Sequence, residues 1–157
     1  PKCQLMKSTL KLKQRERKRE RVMPYYAVID TNVIVAALLS KKSDTATVKV
    51  VNSIFTGDII PLYHRKIIEE YQDVLRRDKF HLQEETIQKV LTAIQKFGIE
   101  VYPEPTGKIL PDMDDLIFYE VALTAANSYL VTGNQKHFPA EKFIVSPYEM
   151  IVILTND

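Results

Sequence analysis

The chain has 157 residues, 45% of them hydrophobic and 27% charged. That is enough for one domain with its own core, and too ordinary a composition for a fibrous or disordered protein. Its single cysteine, Cys3, excludes an intrachain disulfide. No apolar run reaches the roughly 18–20 residues that span a membrane, so no membrane partner is expected and the expected setting is the reducing cytoplasm.

The formal charge of +2 hides a division: residues 1–22 hold nine Lys/Arg against two Glu, giving +7, and the remainder sums to −5. Residues 1–22 therefore read as a basic N-terminal extension without the apolar stretch of a secretory signal. It is either an arm for a polyanion or a solvated tail. Residues 23–157 form the domain.

Tyr26–Ile29 is a compact apolar run ending at Asp30, as expected of a strand buried on both faces. Helices are predicted over about 32–40 and 45–56, the second with Asp44 as N-cap and Gly57 as its stop. Ile59, Ile60 and Leu62 suggest a strand interrupted by Pro61. Apolar spacing predicts amphipathic helices over 64–76 and 84–97, and a strand over 99–102 follows Gly98. A loop leads to a helix over about 113–126. Strands are then expected at 129–132 and 143–145, with a last helix from Pro147. Strands separated by helices imply right-handed crossovers, a mainly parallel sheet, and a reactive crevice at the strands' carboxyl ends.

That crevice directs attention to the carboxylates. Asp30 follows the first strand directly, where it either faces the crevice or caps the next helix. With Tyr71 at the centre of the apolar stripe, Glu70 falls about 100° away and Glu69 about 160°, so only Glu70 can reach inward. Asp112, Asp114 and Asp115 open a helix. Asp112-x-x-Asp115 also resembles a capping box, yet Asp115 falls within the apolar stripe, where an uncompensated charge is costly. Asn134 follows the strand at 129–132 in a turn-like sequence. Carboxylates converging at one sheet end repel one another unless a cation intervenes, and oxygen ligands select Mg²⁺ or Mn²⁺. The three histidines, His64, His81 and His137, are too scattered to read as metal ligands.

Val28-Ile-Asp-Thr-Asn-Val-Ile34, Glu69-Glu-Tyr71 with Val74-Leu-Arg76, Asp112-Met-Asp-Asp115 and Leu130-Val-Thr-Gly-Asn-Gln-Lys-His-Phe138 occur in this order and spacing. Together they resemble the PIN domain, the ribonuclease fold of many bacterial toxin–antitoxin pairs. The resemblance implies a three-layer α/β/α domain and Mg²⁺- or Mn²⁺-dependent hydrolysis of RNA leaving 5′-phosphate and 3′-hydroxyl ends. Asp30, Glu70 and Asp115 match the family's acidic residues and are the expected catalytic and metal-binding groups. Thr31 or Asn32 would orient Asp30, and Thr132 would line the site. Asn134 stands where the family has a fourth acid, removing one negative charge, and Asp112 is a candidate replacement ligand. His64, Arg65, Lys66 and Lys136 are candidate contacts to the RNA backbone. A cognate antitoxin and a homodimer are expected partners. The alternative reading is a catalytically impaired PIN-fold module that binds RNA or protein.

Overall fold

The structure, a computed structural model, describes residues 23–156; the basic extension predicted for 1–22 lies outside the described residues. Five strands, β1 Tyr25–Ile29, β2 Ile59–Tyr63, β3 Ile99–Glu100, β4 Tyr129–Val131 and β5 Ile144–Val145, form one sheet in the order β3-β2-β1-β4-β5. Every pairing is parallel. The helices are α1 Thr31–Leu39, α2 Ala46–Thr56, α3 Arg65–Leu75, α4 Glu84–Phe97, α5 Leu116–Ala122 and α6 Pro147–Thr155. With the sheet they make three α/β/α layers. α5 packs on β1, β2 and β4, while α2 packs on β2 and against α1, α4 and α6.

β1 is central because it is apolar on both faces: Ala27, Val28 and Ile29 are all buried. The chain winds outward from β1 through β2 to β3, then returns to the other side of β1 for β4 and β5. The order thus reverses between β1 and β4, and the crevice lies beyond the carboxyl ends of that pair. Ile29 pairs with Val131, which sets the residues after each strand, Asp30 and Thr132, side by side.

Several element boundaries differ from the sequence expectation, each for a local reason. The N-cap of α2 is Thr45, whose hydroxyl accepts the Val48 N–H at 3.4 Å, and Asp44 is exposed. Gly57 does end that helix, in the left-handed region at φ 84°. Pro61 lies inside β2 instead of interrupting it. The Tyr63 carbonyl accepts from Val101 on the β3 side, so strand alternation points the nitrogen of Pro61 the same way, before β3 begins. No ladder bond is lost there. β3 is two residues long rather than four, because Val101 bonds to Tyr63 and Pro103 then follows. α5 is preceded by a 3₁₀ turn at Met113–Asp115 and stops at Ala122. The Thr124 and Ser128 hydroxyls donate to the Val121 and Ala122 carbonyls and cap its end. No helix among the described residues is long and apolar enough to cross a membrane.

Candidate metal centre

Asp30 holds the N-cap position of α1, yet its side chain makes no capping bond. It is buried, 6% exposed, and accepts instead from the Thr132 hydroxyl at 2.7 Å. Burial raises its pKa above the ordinary carboxylate value, while the bond from Thr132 pulls it partly back. The Asn134 backbone N–H closes the loop by donating to the Thr132 oxygen at 3.0 Å.

On α3 the helical phase separates the two glutamates: Glu69 is exposed, where it pairs with Arg65 at 3.4 Å, and Glu70 is half-buried. Glu70 accepts from the Thr31 hydroxyl. Its pKa is raised by burial and by the charges of Asp30, Asp115 and Asp114. The next residue, Tyr71, is fully buried and donates its hydroxyl to the Ile29 carbonyl, just before Asp30. Tyr71 therefore ties the helix bearing Glu70 to the end of β1.

Asp115 leads into α5 with its side chain 15% exposed. Its pKa is raised to about 6, by burial first and then by Asp30 and Asp112. His137 Nδ1 lies 3.3 Å from its Oδ2. When Asp115 is ionised it only accepts, and the contact is then a hydrogen bond donated by that nitrogen. Asp112 is exposed and caps the 3₁₀ turn by accepting the Asp114 N–H at 3.0 Å.

Each of the three inward carboxylates thus meets a donor: the Thr132 hydroxyl and the Thr31 backbone N–H for Asp30, the Thr31 hydroxyl for Glu70 and His137 for Asp115. Thr31 serves two carboxylates, its hydroxyl donating to Glu70 and its backbone N–H to Asp30. The Asn32 amide oxygen accepts the Gly133 N–H at 3.3 Å, tying α1 to the loop after β4. His137 was missed because its partner is remote in sequence. The only hint was its place in the same strand-end loop as Asn134.

Asn134 itself is exposed, so its amide is accessible to a cation without being drawn to one. Of the expected RNA contacts, His64 caps α3 through Nδ1, which accepts the Lys66 N–H at 3.1 Å, and its ring meets Tyr102 edge-on. Arg65 is engaged by Glu69, while Lys66 and Lys136 are exposed.

Among the described residues, no three His, Cys, Asp or Glu side chains stand close enough together to hold a metal ion without moving. The donor chemistry still fits a hard cation. Mg²⁺ keeps several waters and binds through one or two carboxylates, so it takes an open, oxygen-only, mutually repelling set. Zinc takes nitrogen and sulfur ligands in a closed tetrahedron, and His137 is the single such residue at this crevice among the described residues.

The domain is a parallel α/β sheet with three carboxylates facing the switch point at its carboxyl end. A family model described as the PIN domain matches residues 26–136, and the chain belongs to that family. PIN domains are nucleases as a class and generally use divalent metal ions. No curated protein and no solved structure matches the chain.

Proposed function

We propose that the protein is a metal-dependent endoribonuclease whose centre is Asp30, Glu70 and Asp115. The observation behind this reading is that three segments bring carboxylates to one crevice and each is held above its ordinary pKa. A polyanion binder gains nothing from such an arrangement, whereas a cation relieves it. Asp30, Glu70 and Asp115 would hold Mg²⁺ or Mn²⁺, with the Asn134 amide as a neutral fourth donor and Asp112 as a supplementary ligand. The metal supplies Lewis acidity and charge neutralisation for attack on a phosphodiester. Thr132, Thr31 and His137 keep the three carboxylates aimed into the crevice, and Tyr71 fixes the end of β1 beneath them. Lys66, Lys136 and the 1–22 extension would attract the RNA backbone, and His64 and Arg65 flank that path.

In the cell we assign it the toxin role of a type II toxin–antitoxin pair, acting in the cytoplasm, neutralised by a cognate antitoxin and assembling as a homodimer. One observation favours a second reading. The exposed, uncharged Asn134 in place of an acid suits an impaired PIN-fold module that binds RNA or protein.

Cleavage of a mixed single-stranded RNA by the purified protein in Mn²⁺, Mg²⁺ and EDTA separates the two. Metal-dependent cutting that disappears in Asp30→Asn is the expected result. Cutting that persists in the variant, or a folded wild type that cuts nothing, would sink the catalytic assignment.

A further inference from the structure

A cleft of about 380 Å³ lies beside the carboxylates, between α3 and the start of α5. One wall holds Lys66 and Glu70, a turn apart on α3; the other holds Met113, Leu116, Ile117 and Glu120. Glu70 belongs to both cleft and metal centre, so anything bound here touches the candidate site. The volume is that of a small-ligand pocket. Its apolar lining includes an exposed methionine, 52% accessible, whose flexible thioether adapts to a flat ring.

Charge narrows the occupant. Glu70, Asp114 and Glu120 outnumber Lys66, so a phosphate chain is repelled. Of the uncharged parts of an RNA strand, ribose and base, the base is the flat one with apolar faces, and only an unpaired base can turn out of the stack into a cleft. Glu120 narrows the choice further. Its carboxylate is held by the Thr106 backbone N–H and, among the described residues, makes no ion pair. A carboxylate only accepts, and its two oxygens have room for more donors than Thr106 supplies. Guanine alone offers two adjacent donors, N1–H and the 2-amino group, on its pairing edge. Adenine and cytosine set a ring acceptor beside their amino group, and uracil flanks its N–H with two carbonyls.

We propose that this cleft is a subsite for one unpaired guanine of single-stranded RNA, stacked against Met113, Leu116 and Ile117 and read by Glu120. The identity of the ligand rests on the ribonuclease reading above.

The test is equilibrium binding, by fluorescence anisotropy, to full-length Asp30→Asn protein in Mg²⁺, so that nothing is cut. The probes are a labelled oligouridylate carrying one central guanosine, inosine (lacking the 2-amino group) or abasic ribose. The guanosine strand is expected to bind about fivefold or more tighter than the inosine strand, as for a two-donor base contact. The inosine strand should in turn bind tighter than the abasic one. Adding Glu120→Gln should erase the first gap and keep the second, and adding Met113→Ala should narrow the second. Equal affinity for the three probes, or gaps that survive both variants, would overturn the subsite. Cleavage by wild type is scored separately. A guanosine gap without cutting keeps the subsite and removes the nuclease reading, and cutting without a gap does the reverse.

Discussion

Asp115 stands at the start of a helix, where a carboxylate is ordinarily favoured, and is nonetheless held at a pKa of about 6. In the unfolded chain it titrates near its ordinary 3.8, so folding favours the protonated form. That contribution is complete below about pH 4 and is lost as pH rises through about 6. Asp30 and Glu70 are raised as well and act in the same direction. In EDTA the melting temperature should therefore fall between about pH 4 and about pH 7, and Asp115→Asn should flatten the fall and melt higher at neutral pH. A variant that melts below wild type there would contradict the repulsion argument. Mg²⁺ should reverse the loss, raising the melting temperature with concentration as a native-state ligand does, and Asp30→Asn should abolish that gain. Helical phase could distinguish Glu70 from Glu69 because both lie on one periodic element. It could not reveal that Thr31, 39 residues away, donates to Glu70, since nothing local encodes that meeting.

The elements were legible where periodicity was long and obscure where side chains chose the ends. α3 and α4 lie within a residue of their expected limits, whereas α5 is shortened by the hydroxyls of Thr124 and Ser128. Pro61 was read as a break because its sheet position was unknown; only its side of the ladder makes it harmless. Two contacts between elements can be tested directly. Tyr71→Phe removes the donor from the Ile29 carbonyl at the buried join of α3 and β1. The expected cost is about 1–3 kcal/mol of unfolding free energy in urea, with weaker Mg²⁺ binding as the end of β1 loosens. Unchanged stability would mean that the carbonyl finds another donor. Gly98 sits where α4 turns into β3, and a Cβ there would come within 2.3 Å of the Ile94 oxygen and 2.5 Å of the Pro61 oxygen. Both are backbone atoms that cannot step aside. Gly98→Ala should destabilise by about 1–3 kcal/mol, the range of an overpacked core, by pushing β3 from β2. A neutral substitution would show that this edge of the sheet moves freely.

For the molecule as a whole, the alternation of strands and helices made a parallel α/β sheet legible, while the strand order was not. Which strand becomes central depends on packing both faces of β1, and the switch point follows from that. The charge division belongs to the same scale: a body of −5 has no net attraction for RNA beyond its local lysines, and residues 1–22 bring +7. A chain lacking them should bind single-stranded RNA with a shallower salt dependence, by up to about 0.7 in logarithmic slope per cation removed from the contact. An identical slope would leave the extension without a role in binding.

The hydroxyl that steadies Asp30 belongs to Thr132, 102 residues further along the chain. During synthesis Asp30 leaves the ribosome early and waits for nearly the whole domain before its partner arrives. A half-made chain therefore holds Asp30 without the hydroxyl that steadies it. On the proposed ribonuclease reading, a fragment ending before β4 should neither hold Mg²⁺ nor cut RNA, so ribosomal and messenger RNA are spared until the last strands fold.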